Sequence, residues 1–501
     1  MGVSRHSTVG DTSGVVDVYV RATEACVSEL QYDEWMSESD SVLWHIERDP
    51  LLRSTITSVW FLDAVPDRRR MDAVVARMVD RIPRLRQHVV DQQPGVAPPR
   101  WATDPNFDLD YHYSWARLPG RRIGRRDVLD HAQRLAGRSF DKDRPLWELC
   151  VVEGLPGRRA AFIMKVHHAI ADGLGMVQLL AQMVDLEADP AVEPAETLDE
   201  SSVPDAHRIV SPLWSIPGAR SLTHRIASEA RTGARIGRAS LRTAGDLLRD
   251  PLGTIEQLGR TTGSIARVVK PATTPLSPLM TGRSLNTRFD VVAVPLGDLR
   301  AAAGSVGGTL NDAFVATALD ALRRYHMAMG SPCSQVRMNM PVSVRGGDTS
   351  NRFDNQFVPT RMVLPVTDTD PATRLAEVRG LLRAVRAEPA LPHVNDISGV
   401  ISRLGPSASV SVLGAMLKGV DITTSNVPGP SFAVFMAGAK VEEFYGFGPL
   451  AGAAINITLF SYDGTVHLGL NVDRAAVVDH ELFARCLRDA VDDTLTLATS
   501  T

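Results

Sequence analysis

Cysteine is scarce in this chain, with four in 501 residues, at Cys26, Cys150, Cys333 and Cys486. No two stand at a CxxC spacing, which argues against a disulfide framework and a thiolate-held zinc and fits a reducing cytoplasm. Long apolar runs are missing too. The longest candidates, VSVLGAML and FAVFMAGA, fall far short of the roughly 18 residues needed to span a bilayer. The first 30 residues hold no basic start followed by an apolar core, so no secretory signal is expected and any membrane contact is expected to be peripheral. A large excess of one charge is also absent. The formal net charge is −4, so the chain as a whole carries no nucleic-acid signature.

What is present suits large buried cores. Hydrophobic residues make up 44% of the chain and charged residues 22%, and the length suggests two domains or one two-lobed unit. Residues 1–30 read as a loose extension. From about 31 to 200 apolar elements alternate. RMDAVVARMVDRIPRLRQHVV carries apolar residues at helical spacing, and ELCVVEGL and RAAFIMKVHHA, joined at a Pro-Gly turn, read as a β-hairpin. Residues 187–222, rich in Asp, Glu, Pro and Ser, read as a linker. The stretch 220–270 then holds ten Arg or Lys against four Asp or Glu, with Arg231, Arg235, Arg238, Arg242 and Arg249 on one helical face. Two readings stand for it: a solvated helix within a crossover at 201–280, or a helix lying on an anionic lipid surface.

Residues 281–501 resume the alternation. RFDVVAVPL, VRMNMPVSV and FVPTRMVLP read as strands, and TLNDAFVATALDALRRY reads as a helix capped by Thr309. INITLFSYDGTVHLGLNV is a strand pair around Asp463-Gly464, and DHELFARCLRDAVDDTL a closing helix. Alternation in both halves predicts an α/β or α+β architecture with two similar lobes.

The stretch that carries chemistry is MKVHHAIADGLGMVQLL, residues 164–180. Adjacent strand residues face opposite ways, so only one of His167 and His168 can face a shared cavity. An imidazole titrating near about 6.5 suits removal of a proton from a hydroxyl or amine, while Gly173 and Gly175 leave room for a ligand to come close. The residues alone leave a plainer reading open, in which the histidines end a buried strand and Asp172 caps the next helix. A metal held by His168 and Asp172 needs a third ligand that no HExxH spacing supplies. No G-x-S-x-G elbow offers a serine nucleophile.

HHAIADG resembles the HHxxxDG signature of the CoA-dependent acyltransferase superfamily, which includes chloramphenicol acetyltransferases and peptide-synthetase condensation domains. RPLWELCVVEGLPGRRAAF, TLNDAF, MNMPVSVR, TSNVPGP and NITLFSYDG resemble successive blocks of the bacterial wax ester synthase/diacylglycerol acyltransferases, in order, over about residues 32–497. The family's Leu-Ser-Pro-Leu-Asp start is reduced here to MSESDSVLW, which keeps Asp40.

This resemblance implies a two-lobed fold with a tunnel between the lobes, and an O-acyltransferase moving a long-chain acyl group from acyl-CoA to diacylglycerol or a long-chain alcohol. It implies His168 as general base and His167 as support from the other face of the strand. Asp172 is implied to fix the loop through an arginine, for which Arg81 and Arg86 in RIPRLRQ are the candidates, and Gly173 to allow close backbone packing. Asn311 and Asp312 stand in a helix's first turn, where free N–H groups favour negative charge, although capping alone also explains them. Pro145, Leu146 and Trp147 match the segment on the acyl-binding side, with core packing the alternative. Ser425 and Asn426 are candidate polar contacts from the second lobe.

No metal and no bound cofactor is implied, acyl-CoA being a substrate. The expected partners are acyl-CoA and a lipid alcohol at a membrane or lipid-inclusion surface on the cytoplasmic side. The competing readings are a condensation-type transfer from a carrier-bound donor to another alcohol or amine, and a weakly active lipid-surface protein that keeps the fold.

Overall fold

The computed structural model describes residues 32–91, 98–120, 123–170, 176, 179–190, 274–343, 357–386 and 417–499. The loose first 30 residues and the basic stretch 220–270 lie outside these, as does most of the segment 187–222. Two six-stranded sheets organise the chain. The first runs in the order β11-β12-β1-β6-β5-β4, the second β7-β14-β13-β10-β8-β9. In the first, β1 is Thr55–Leu62, β4 Tyr113–Arg117, β5 Trp147–Leu155, β6 Arg159–His167, β11 Phe435–Met436 and β12 Ala439–Phe447. In the second, β7 is Thr287–Pro295, β8 Gln335–Ser343, β9 Phe357–Pro365, β10 Ile422–Pro428, β13 Ile455–Tyr462 and β14 Thr465–Asp473.

The hairpins read from the sequence are present. β5 and β6 pair antiparallel across a turn in which Gly157 adopts φ 77°, a left-handed conformation that glycine enters without steric cost. β13 and β14 pair antiparallel around Asp463 (φ 43°) and Gly464 (φ 76°), both in the left-handed region that a two-residue hairpin turn demands. β6 is buried at every position after Arg159, because helices cover both faces. On one face α2 (Arg68–Arg81) packs Met71, Val74, Val75 and Met78 into a core with Trp60, Phe162, Met164 and Val166. On the other, α3 (Arg125–Ala136) packs Val128, Leu129 and Ala132 against Val59, Phe61, Ile163 and also Phe289 and Val291 of the second sheet. A short helix α1 (Glu38–Ile46) precedes β1, its first turn capped by Ser37, whose hydroxyl oxygen accepts from Asp40 N. The helical spacing read over residues 70–90 breaks at Ile82, which is extended (φ −115°, ψ 92°) ahead of Pro83. The restriction that proline places on its predecessor accounts for that stop. The chain there turns into the short strand β2 (Gln87–Val90), paired with β3 (Arg100–Thr103).

Helices α4 (Leu296–Ser305), α5 (Leu310–Ala328), α6 (Pro371–Arg386) and α7 (His480–Thr499) belong to the second lobe and share one core with its sheet. Thr309 and Asp312 form a reciprocal capping box at the start of α5, as the sequence led one to expect of Thr309.

Sequence order and sheet membership part company at one place. β11 and β12 come from the second half of the chain yet extend the first sheet, with β12 antiparallel to β1 over Thr57↔Phe447 to Leu62↔Val441. The exit of β12 lies against the second sheet so closely that glycine is the only residue that fits. A Cβ on Gly469 would sit 2.0 Å from the Gly446 carbonyl oxygen, and one on Gly448 would sit 2.7 Å from Asn456 Nδ2.

Near this seam lies a buried histidine, His467 of β14, 2% exposed. Its ring stands edge-on to Tyr445 at 5.0 Å, and neither ring nitrogen has a hydrogen-bond partner among the described residues. Burial pushes its pKa down to about 4. A folded-state pKa below the unfolded value near 6.5 stabilises the fold above that value, and the contribution is lost as pH falls toward 4. His467→Leu should therefore lose about 2 kcal/mol less stability than the wild type between pH 7 and pH 5, read from urea midpoints at the two pH values.

Candidate active site

β6 ends at the two histidines, and their backbone sends them apart. His167 is 1% exposed and pairs across the sheet with Thr55. His168 begins the turn beyond the sheet, is partly exposed, and donates its backbone N–H to Ser54 O at 2.7 Å. Its side chain lines a cavity of about 840 Å³ between the two sheets. The walls are mixed in character. Ile56, Met176, Leu180, Phe444 and Phe460 supply apolar surface, and Asn339, Thr423, Ser425, Asn456 and Thr458 supply polar groups from the second sheet.

Those polar groups fall into two sets. Asn456 and Thr458 are committed to holding the exit of β12. Gly448 N donates to Thr458 Oγ1 at 3.2 Å, Thr458 Oγ1 donates to Asn456 Oδ1 at 3.0 Å, and Asn456 Nδ2 donates to Pro449 O at 3.1 Å. Asn471 Nδ2 adds a bond to Gly448 O at 3.0 Å. The cavity wall at residues 446–449 is thus pinned by the sheet it faces. Thr423 and Ser425 of β10 and Asn339 of β8 complete the polar wall.

Two further spaces adjoin the cavity. Thr57 and Pro449 also line a second space of about 600 Å³, which runs between the lobes past Arg53, Gly137 and Leu285. Leu180, Phe444 and Phe460 also line a third, of about 400 Å³, whose other walls include Trp60, Ala181, Val184, Val434, Val441 and Tyr462. The hydroxyl of Tyr462 is turned into the protein, accepting from Val434 N at 3.0 Å and donating to Val441 O at 2.8 Å. The third space is therefore almost wholly apolar.

His167 faces the opposite side. Its Nε2 lies 3.0 Å from Glu47 Oε1, and its Nδ1 accepts the Ala169 N–H at 3.0 Å. A ring nitrogen that accepts carries no proton, so the neutral imidazole holds its hydrogen on Nε2, toward the carboxylate. Burial works to raise the pKa of Glu47. The adjoining His167, the Ser54 N–H and the charge of Lys142 outweigh it and hold the carboxyl below its ordinary value. A separate cavity of about 380 Å³ adjoins Glu47 and His167, walled by Trp44, Arg53, Phe140, Lys142 and Leu146.

The other residues singled out from the sequence are distributed as follows. Asp172 and Gly173 lie outside the described residues, and with them the pairing expected of Arg81 or Arg86. Arg81 Nη1 is 3.5 Å from Gln182 Oε1, and Arg86 is 3.7 Å from Asp80. Between them Arg84 is buried, its guanidinium 4.3 Å over Trp101 and bonded to Asp33 O at 3.1 Å. Pro145, Leu146 and Trp147 are buried on the approach to β5 and stand outside the lining of the His168 cavity. Leu146 O accepts the His167 N–H at 3.0 Å, and the Trp147 indole N–H donates to Leu85 O at 2.7 Å.

Asp312 Oδ2 serves the cap, accepting from Thr309 N at 2.8 Å, and its Oδ1 lies 3.6 Å from Arg386 Nη2. Asn311 Oδ1 accepts from Asn426 Nδ2 at 3.3 Å, tying α5 to β10. Of the two β10 residues, Ser425 faces the cavity and the exposed Asn426 faces the helix. Sequence reasoning missed Glu47, Asn339, Asn456 and Thr458. Glu47 had one signal, its place seven residues after Asp40 in the reduced first block.

Known proteins resemble this chain in sequence and in fold. Residues 36–314 match the family model described as the wax ester synthase/diacylglycerol acyltransferase catalytic domain, and residues 353–494 match that family's C-terminal domain. A putative diacylglycerol O-acyltransferase of Mycobacterium tuberculosis is 35% identical over 466 residues, covering 92% of this chain and 91% of the relative. A probable diacylglycerol O-acyltransferase of the same organism is 26% identical, covering 85% and 88%. In fold, the chain is similar to the wax ester synthase/diacylglycerol acyltransferase from Marinobacter aquaeolei VT8, with a TM-score of 0.57 at 21% identity and coverage of 93% and 100%. It is also similar to the first condensation domain of the CDA synthetase, with a TM-score of 0.58 at 15% identity and coverage of 92% and 95%.

The pinned wall can be tested directly. Thr458→Val keeps the shape but removes the acceptor for Gly448 and the donor to Asn456. It should lower stability by about 1–3 kcal/mol, measured by denaturant unfolding; an unchanged midpoint would show that the network does not hold the exit of β12.

Proposed function

Because the chain belongs to the wax ester synthase/diacylglycerol acyltransferase family, we propose that it moves a long-chain acyl group from acyl-CoA to the hydroxyl of diacylglycerol or a long-chain alcohol, with His168 as general base. The observation that carries the mechanism is the position of His168, at the end of a rigid buried strand and in the wall of the cavity between the sheets. The imidazole takes the acceptor's hydroxyl proton as the oxygen attacks the thioester carbonyl carbon. The tetrahedral intermediate collapses with cleavage of the C–S bond, and the proton passes from the imidazolium to the departing CoA thiolate. No acyl-enzyme is needed. Ser425, Asn339 and Thr423 make no side-chain hydrogen bond within the described residues and line the same space, so they are among the groups available to the thioester oxygen as it gains charge.

The two spaces that adjoin the cavity suit the two ends of such a substrate. The apolar third space fits an alkyl chain, since no polar group inside it is left to solvate. The second space, open between the lobes, suits the polar remainder of the donor. We place the enzyme at the inner face of the membrane or on lipid inclusions, a reading supported by the lipid nature of the acceptors. No helix among the described residues is long and apolar enough to cross a bilayer.

Purified protein should transfer labelled acyl groups from long-chain acyl-CoA to diacylglycerol, hexadecanol or both, and folded His168→Ala should lose about 10²- to 10⁴-fold in rate. Turnover only with a carrier-bound donor would turn the assignment to the condensation-type reaction. Vesicle binding without any transfer would turn it to a lipid-surface protein. Ala181→Phe should fill the apolar space and shift preference toward shorter acyl chains, measured as kcat/KM across a chain-length series; an unchanged profile would place the alkyl chain elsewhere.

A further inference from the structure

The reaction proposed above employs His168 and leaves unused the buried carboxylate that meets the same strand end from behind. Resting on that assignment, we propose that Glu47 is a positioning residue, which fixes the backbone on both sides of His168 through His167 and Ser54. A single oxygen does this. Glu47 Oε1 accepts the Ser54 N–H at 2.5 Å and lies 3.0 Å from His167 Nε2. Each of these two partners then holds one of the peptide groups that flank His168. Ser54 O accepts the His168 N–H at 2.7 Å, and His167 Nδ1 accepts the Ala169 N–H at 3.0 Å.

The position in the fold makes these contacts matter. Pairing of β1 with β6 stops at Thr55↔His167, and past it the main chain is held by two backbone bonds, His168 N–H to Ser54 O and Ile170 N–H to His167 O at 2.9 Å. Glu47 braces this turn from behind, through the Ser54 N–H and the His167 ring. The carboxylate also selects the His167 tautomer. With its proton on Nε2, the ring presents a bare Nδ1 to Ala169; the opposite tautomer would set two N–H groups against each other. The ionised acceptor makes the Ser54 bond stronger than a neutral one; toward His167 it acts as a buried charge 3.0 Å from Nε2, outside hydrogen-bond geometry. Glu47 itself is anchored from the sequence side, at the C-terminal cap of α1. A general base displaced by about 1 Å can lose on the order of 10²-fold in rate, so an orienting group two bonds removed reaches the chemistry.

The cavity of about 380 Å³ beside Glu47 and His167 supplies the test, because it gives a small carboxylate somewhere to enter when the side chain is cut back. Glu47→Ala should lower kcat for transfer from oleoyl-CoA to dioleoylglycerol about 100-fold while KM for oleoyl-CoA changes less than about threefold. Formate should restore at least about tenfold of that loss in Glu47→Ala, and nothing in His168→Ala. Glu47→Gln, which can still accept from Ser54, should fall between. Protein labelled with ¹⁵N-histidine, its His167 signal identified by loss in His167→Gln, should show the neutral Nε2–H tautomer. That single tautomer should be lost in Glu47→Ala and return with formate. The proposal is overturned if folded Glu47→Ala turns over within threefold of wild type, or if its His167 tautomer is unchanged. It is equally overturned if formate restores neither rate nor tautomer. An inactive wild type, or an active His168→Ala, would instead sink the reaction assigned to His168. The tautomer measurements would still decide whether Glu47 holds the turn.

Discussion

The placement of the two lobes depends on one constraint: β12 must belong to the first sheet along its length and touch the second sheet at its end. Hydrogen bonds to β1 fix the strand in one lobe. The approach of Gly469 to the Gly446 carbonyl, with no room for a Cβ, fixes its end against the other. Between backbones this close, neither sheet can slide without breaking a ladder or forcing a clash. Asn456, Thr458 and Asn471 complete the lock by taking up the peptide groups that β12 leaves unpaired as it departs.

The cavity lined by His168 is a by-product of that seam. One wall comes from β1, β12 and the turn that follows β6, and the opposite wall from β8, β10 and β13. His168, just past the end of β6, therefore shares its cavity with polar side chains carried by another sheet. The alternation of a β-strand then divides the labour between neighbours in sequence. His168 faces the seam, where substrates can reach it. His167 faces inward to Glu47 and becomes part of the frame. The same residue type meets a cavity in one position and a buried carboxylate in the next, the difference being set by which way the backbone turns each side chain.

Much of this was legible in the residues. The hairpin at Pro156-Gly157 and the one at Asp463-Gly464 announce themselves by turn chemistry, which acts within a few residues and needs no partner. The cap at Thr309 is equally local. So is the histidine motif, whose surrounding blocks identified the family. What escaped notice was long-range. Glu47 is far from His167 in sequence, and no spacing rule links them. Asn456 and Thr458 sit in an apolar strand pattern where they read as ordinary strand residues. Asn311 and Asp312 were noticed for a helix terminus that favours anions; in the fold one serves the cap and the other ties α5 to β10. The Pro145–Trp147 segment packs behind His167, because the indole N–H finds its acceptor at Leu85 and the carbonyl of Leu146 is taken by the strand beside it.

The sequence by itself determined the elements, the turns that join them and the chemistry of the motif, since these follow from backbone sterics, periodicity and side-chain type over short stretches. Tertiary structure alone decided that a strand from the second half completes the first sheet. It also decided which face each histidine presents and which distant carboxylate and polar side chains meet them. Those outcomes rest on contacts between segments far apart along the chain, such as the 3.0 Å approach of Glu47 to His167 and the lack of room for a Cβ at Gly469, which no local pattern encodes.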